Sequence, residues 1–251
     1  DASVTRITGE WLSRAATQRV LAALTDAEAQ AFFVGGCVRN ALLGRPVNDV
    51  DIATDALPDR VIEIATAAGL KAIPTGYDHG TITVVSRGIS HEVTTFRQDI
   101  ETDGRRAIVS FSSDILDDAK RRDFTMNALY ADADGLVYDP LGGLDDVVNG
   151  RVRFVEDPDQ RIAEDHLRSL RLFRFFAWYG GADQGLDAGG LAAVAQNLDG
   201  LDSLSRERVG SEILKLLGAP NPAPAVAAMR HCGVLGRVLP GADDRALAPL
   251  V

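Results

Sequence analysis

The sequence predicts an α+β chain: a small mixed sheet with flanking helices, followed by an all-helical part. Three observations predict it. Up to about Gly150, short β-branched runs alternate with segments of helical spacing. Beyond a short RVRFV run, the segments near 160–180, 187–198, 205–217 and 223–232 all repeat apolar residues at helical intervals. The 251 residues, 46% hydrophobic and 25% charged, have the composition of an ordinary globular protein, which at this size buries roughly 70–75% of its unfolded surface. A mixed unit followed by helices implies two packed parts with a boundary near residues 150–158. The expected division is 1–150, 151–220 and 221–251.

From about Trp11 to Leu24 the apolar positions fall on one helix face, and AFFVGG reads as a buried strand running into paired glycines. CVRNALLG is helical, with Gly44 as its stop. VDIAT is strand-like, and a helix follows from about Pro58 to Ala68, with proline in the first turn where its missing N–H costs nothing. TITVVS and HEVTTF are β-branched runs separated by RGIS, a hairpin signal. The polar, irregular stretch from Arg97 to Asp118 is expected to be a long mobile loop, and RRDFTMNALYA a helix with Asp123 as its N-cap. A DADG turn and the short strand LVYD close the first part.

A net charge of −10 excludes general attraction to polyanions, so any nucleic-acid contact must be local, and no DNA is expected as a partner. Lysine occurs only at Lys71, Lys120 and Lys215, and arginine carries the remaining positive charge, through genomic composition or through use of guanidinium forks on phosphates and bases. Cys37 and Cys232 match no metal-ligand spacing, and four histidines supply no zinc cluster. There is no apolar run of about 18 residues and no signal-peptide core at the start. A cytoplasmic, reduced compartment is expected, with no membrane.

The first chemical constellation is Gly35 and Gly36, the helix carrying Arg39, and then Asp49 and Asp51 in DVD. Strand alternation projects Asp49 and Asp51 from one face about 6–7 Å apart. Paired carboxylates suit hard divalent cations, and magnesium commonly takes one or two carboxylates together with substrate phosphates. The glycines leave backbone free for a triphosphate, with Arg39 as counter-charge. DxD alone also arises on a solvated edge; the ordered combination favours the chemical reading. Neither GxGxxG nor GK[ST] occurs, which excludes Rossmann and P-loop sites.

GGCVRNALLGRPVNDVDIAT resembles the signature motif of the class II tRNA nucleotidyltransferase and bacterial poly(A) polymerase family, within the polymerase-β-like nucleotidyltransferases. RRDFTMNALY, YDPLGGLDD, EDHLRSLRLFRF and LSRERVGSEILKLL resemble its further motifs in order, so that the likeness covers roughly residues 30–218. Asn40 departs from the aspartate usual after Arg39, which bears on fine positioning. The resemblance implies a nucleotidyltransferase head, a helical neck and the start of a helical body. It assigns Asp49 and Asp51 to catalysis and Mg2+ binding, and Gly35, Gly36 and Arg39 to the triphosphate region. It assigns Arg122 and Asp123 to phosphates and ribose, with Asn127 four residues on in support.

In EDHLRSLRLFRF, Asp165 and Arg168 are three residues apart and are expected to neighbour each other on one helix face. A carboxylate accepts from the amino group of adenine or cytosine and a guanidinium donates to ring or carbonyl acceptors, a complementary base edge. The family uses the corresponding pair to select CTP and ATP without a template. Arg171 and Arg174 extend that basic face, and Glu207, Arg208 and Glu212 either buttress the neck or, as is more common, form solvated ion pairs. Glu92 is either a third carboxylate near the metal or a solvated strand residue.

The implied activity is template-independent addition of CMP and AMP to the 3′ end of tRNA. Poly(A) addition, CC-only or A-only addition, and a noncatalytic RNA-binding module are the alternatives. Absence of a GRRF-type segment and retention of the 97–118 stretch favour CCA addition.

Overall fold

The computed structural model describes residues 4–100, 108–245 and 247, and the chain divides into two compact units, Asp1–Leu144 and Asp145–Val251. The first begins with α1 (Glu10–Ser13) and α2 (Ala15–Asp26), then β1 (Ala31–Val34), α3 (Gly36–Leu42), β2 (Asp51–Thr54) and α4 (Pro58–Ala67). It continues through β3 (Lys71–Gly76), β4 (Thr81–Ser86), β5 (Ile89–Thr95), β6 (Arg97–Ile100) and β7 (Ile108–Phe111). After α5 (Ile115–Lys120) come β8 (Tyr130–Ala131) and β9 (Val137–Tyr138). Seven strands form one mixed sheet in the order β3-β4-β5-β2-β1-β8-β9, and β6 pairs with β7 as a separate ribbon. Within the sheet β2 and β5 are parallel, with Asp51 opposite Glu92.

Strand alternation sorts this sheet into two faces. His91, Val93 and Thr95 are buried while Ser90 and Glu92 are exposed. On the buried side α2 and α4 close a core that includes Val20, Leu24, Val61, Ile64, Val84 and Val93. His91 is satisfied there by Thr17 Oγ1 at 2.9 Å. A second cluster joins Val34, Ala53 and Phe96 to Ala119, Ala128 and Tyr130.

Several sequence expectations need correction. The segment Trp11–Leu24 is not one helix, because Arg14 takes an extended conformation (φ −56°, ψ 127°) between α1 and α2. The stretch 97–118 is not an irregular loop: it holds the β6–β7 ribbon, registered from Arg97↔Phe111 to Ile100↔Ile108, and the start of α5. Gln98, Asp99 and Ile100 of β6 are exposed; residues 101–107 lie outside the described residues. RRDFTMNALYA contains no α-helix, only a 3-10 turn at Thr125–Asn127 followed by β8, and Asp123 is not a helix N-cap. The Asp123 carboxylate instead accepts from the Phe124 N–H at 2.7 Å, a local bond that competes with helix formation. The hairpin between β4 and β5 turns through Arg87–Gly88 alone, with Ser86 opposite Ile89.

The second unit is helical. Helix α6 (Gly143–Asn149) spans the division, and α7 (Pro158–Glu164), α8 (Leu167–Tyr179), α9 (Ala188–Gln196), α10 (Arg206–Leu217), α11 (Ala223–His231) and α12 (Val234–Val238) follow, with a 3-10 segment at Leu198–Ser203. Among the described residues no helix is long and apolar enough to cross a membrane.

One buried polar cluster ties the second core of the sheet unit together. The Asp118 carboxylate accepts from Tyr130 Oη at 2.6 Å and from Arg122 Nη2 at 2.9 Å, and Arg122 Nε also reaches Tyr130 Oη at 3.2 Å. Burial alone would raise the Asp118 pKa, but the Arg122 charge and the tyrosine hydrogen bond hold it below the usual aspartate value. Asp118→Asn should therefore cost on the order of 2–3 kcal/mol, less than the loss of a fully dry pair because Arg122 keeps some exposure. Tyr130→Phe should cost about 1 kcal/mol, and urea denaturation of both variants checks the ranking. Since the folded-state value is lowered, this stabilisation is complete above the ordinary aspartate pKa of about 4 and is lost as the pH falls through the folded value.

Candidate functional site

The parallel pairing of β2 with β5 is what concentrates acid at one place. Asp51 opens β2 directly opposite Glu92, and alternation puts both on the face away from His91. Asp49 lies just before β2 rather than inside it, exposed, with the buried Val50 between the two aspartates. Burial, then the Glu92 charge, push the Asp51 carboxyl up to about 6; Arg122 opposes this and Asp49 adds to it. Glu92 thus belongs with the aspartates, a third carboxylate that the sequence left open.

A second set of residues converges on the β1–α3 turn. Gly35 (φ 73°, ψ −124°) adopts a backbone conformation that a side chain would strain, and a Cβ there would sit 3.7 Å from Arg122 Nη1. The guanidinium of Arg122 therefore lies beside Gly35, and that of Arg39 beside Gly36, where a Cβ would be 3.4 Å from its Nη2. Arg39 is buried and donates through Nη1 to Asn127 Oδ1, while Asn127 Nδ2 donates to Asp123 Oδ1 at 2.9 Å. Asn40 accepts from Arg39 Nε and Nη2 at 3.2 and 3.1 Å and donates to Pro46 O at 2.9 Å. An aspartate at 40 lacks that last donor, so the departure from the family pattern has a local use. Asp123 and Asn127 meet without sharing a helix.

YDPLGGLDD acts on this set from behind. Asp139 accepts from the N–H groups of Gly143 and Leu144 at 2.8 and 3.0 Å. A Cβ at Gly143 would lie 2.0 Å from Thr125 O and 2.6 Å from its carbonyl carbon, so the backbones touch where only glycine fits.

The helical unit carries the other predicted residues, and here the expectation of one continuous helix near 160–180 fails. Asp165 is extended (φ −151°, ψ 106°) between α7 and α8, so Asp165 and Arg168 do not share a helix face. Asp165 Oδ1 accepts from the Leu167 N–H at 3.1 Å and Oδ2 from Arg208 Nη2 at 2.8 Å. Arg168 Nη1 donates to Glu164 Oε2 at 2.7 Å and to Arg161 O at 2.9 Å. Both groups are thus oriented by their own neighbours. Arg171 and Arg174 lie over the Phe175 ring, 5.1 and 4.7 Å from its centre, and Arg174 is paired with the buried Glu212 at 2.5 Å. The sequence named Arg208 as a neck residue but not its partner Asp165, since it had no signal linking positions 43 residues apart.

The carboxylate set suits a hard cation by donor chemistry: Asp49 and Asp51 offer oxygen ligands, and the like-charge pressure on Asp51 is what a divalent ion relieves. Among the described residues no three His, Cys, Asp or Glu side chains converge into a ready-made metal cluster.

Comparisons with known proteins find matches in both units. The model described as the poly A polymerase head domain matches residues 31–153, and that described as a probable RNA and SrmB-binding site of polymerase A matches residues 187–245. The CCA-adding enzyme of Geobacillus thermodenitrificans is 42% identical over 218 residues, 86% of this chain and 52% of that protein. The human mitochondrial CCA tRNA nucleotidyltransferase 1 is 42% identical over 184 residues, 73% of this chain and 42% of that protein. The crystal structure of the Bacillus stearothermophilus CCA-adding enzyme in complex with CTP matches with a TM-score of 0.80 at 38% identity, over 90% of this chain and 53% of that one. The chain spans about half the length of the curated relatives it matches.

The contact at Gly143 gives a direct check. Gly143→Ala should destabilise the protein by about 1–3 kcal/mol by driving Thr125 away, whereas Gly210→Ala, in α10 with no atom within 4 Å, should be neutral or slightly stabilising. Thermal unfolding of the two variants makes the comparison.

Proposed function

The chain belongs to the class II tRNA nucleotidyltransferase and bacterial poly(A) polymerase family, and on that premise we propose that it carries out template-independent addition of CMP and AMP, from CTP and ATP, to the 3′ end of tRNA in the cytoplasm. The observation that carries the reading is the acid set of Asp49, Asp51 and Glu92 beside the Arg122 guanidinium, which itself adjoins Gly35. Carboxylates next to a fixed cation and open backbone are what phosphoryl transfer from a nucleoside triphosphate requires.

Asp49 and Asp51 are the residues that would hold Mg2+, with Glu92 adding charge. A bound divalent ion there supplies neutralisation of phosphate charge as the primer oxygen attacks. In the reaction the 3′-hydroxyl oxygen bonds to the α-phosphorus, the α–β bridging bond breaks, and pyrophosphate leaves. Arg122, fixed by Asp118 and Tyr130, faces the phosphates with little reorganisation. Asp123 is the acceptor for ribose hydroxyls, and Arg39 acts on it through Asn127. In the helical unit Asp165 accepts from the exocyclic amino group of cytosine or adenine and Arg168 donates to a neighbouring ring or carbonyl acceptor. Arg171 adds positive charge on the same helix.

The test is incubation of the protein with tRNA lacking its 3′ terminal nucleotides, Mg2+ and each labelled NTP separately. Ordered incorporation of C and then A is expected; incorporation of A alone, in long runs, establishes poly(A) addition instead. Asp51→Asn should abolish transfer without lowering the unfolding temperature, since it removes a raised, repelled carboxylate. Retained turnover in that variant would remove Asp51 from the chemistry. Asp165→Ala should raise KM for both CTP and ATP and narrow their advantage over UTP by about tenfold, read from steady-state incorporation.

A further inference from the structure

The break between α7 and α8 holds a contact that the family motifs do not account for. His166, the residue between Asp165 and α8, packs its ring directly on the α-carbon of Gly200 in the 3-10 segment Leu198–Ser203. A Cβ at Gly200 would lie 2.0 Å from His166 Nδ1, 2.1 Å from Cε1 and 2.4 Å from Cγ. Cγ is the base of the ring, so rotating its far end away does not clear the clash. Nδ1 is buried and, among the described residues, has no hydrogen-bond partner.

The 198–203 segment is the less yielding partner. Arg237 of α12 pairs with Asp199 and, at 3.1 Å, with Asp202. Asn197 Nδ2 donates to Asp159 Oδ1 of α7 at 2.9 Å, Ser203 Oγ closes on Gly200 O at 2.6 Å, and Leu201 is buried. Opposite it, Asp165 is a single extended residue outside both helices, its carboxylate taking the Leu167 N–H and Arg208 and its carbonyl the Arg168 N–H at 3.0 Å. Pressure on the His166 ring reaches Asp165 through the one peptide link that joins them.

We propose that Gly200 is a positioning residue for base selection: its bare α-carbon seats the His166 ring, and that seating sets where the Asp165 carboxylate points. The proposal rests on Asp165 reading the base. Gly200 touches no substrate and acts only through His166, so its loss changes which nucleotide is accepted more than how fast the chemistry runs.

The experiment measures kcat/KM for CTP and for UTP on one tRNA acceptor, with the midpoint of urea unfolding as a separate reading, for the wild-type chain, Gly200→Ala, His166→Ala and the double variant. Gly200→Ala should lower the CTP-to-UTP ratio by about fivefold or more, through KM for CTP. Because the two residues form one seat, the double variant should be no less selective than the worse single variant. An equal loss on CTP and UTP, an unchanged ratio in a folded Gly200→Ala protein, or additive losses in the double variant overturns the proposal. If Gly200→Ala does not fold, His166→Ala decides alone: its ratio should fall, and an unchanged ratio overturns the proposal. A wild-type chain that does not prefer CTP removes the base-reading premise, a failure visible before any variant is compared.

Discussion

The Asp51 carboxylate opens β2 partly buried and against the repulsion of Glu92 and, less strongly, Asp49, and the sheet holds it there. Parallel pairing with β5 puts Glu92 beside Asp51 whether or not the two favour each other. The backbone ladder and the apolar neighbours Ile52 and Val93, both fully buried, supply the stabilisation that overrides it. Arg122 is the guanidinium that counters the charge on Asp51. That arginine is in turn held by Asp118 and Tyr130, and Tyr130 sits on β8 against Val34 of β1. Each step from the core to the acid set is one side chain long, so the electrostatics of the site are fixed by the packing beneath it.

The helical unit solves a different problem. Asp165 stands at the break between α7 and α8, and Arg168 follows just after it. Interrupting the helix at Asp165 frees that residue from the 100° helical step. Arg168, in the first turn of α8, is anchored back to the last turn of α7 through Glu164 and the Arg161 carbonyl. Arg208 reaches Asp165 from the first turn of α10, and Arg174 reaches Glu212 near its middle, so α10 is tied by one ion pair to the α7–α8 break and by another to α8 itself. The exposed pair adds little stability; the pair on buried Glu212 is the structural one.

By itself the sequence determined the α+β class, the strands AFFV, TITVVS and, in the main, HEVTTF, the helices near 58–68, 187–198, 205–217 and 223–232, and the family, because local periodicity and ordered motifs are properties of neighbouring residues. It placed Asp49, Asp51, Asp123, Asn127, Asp165 and Arg168 as the residues to watch. Tertiary structure decided the rest. The partnership of Asp51 with Glu92 depends on which strands become neighbours, and strand order is not written in either segment. The RRDFTMNALY segment forms a 3-10 turn and runs into a short strand instead of an α-helix, with Tyr130 paired to β1 and Asp123 taking a backbone N–H for itself. The break at Asp165, the reach of Arg208 across 43 positions and the seat of His166 on Gly200 are likewise contacts between distant segments. Periodicity reports only which side of an element is apolar; what stands opposite that side, and at what angle, is settled when the elements pack.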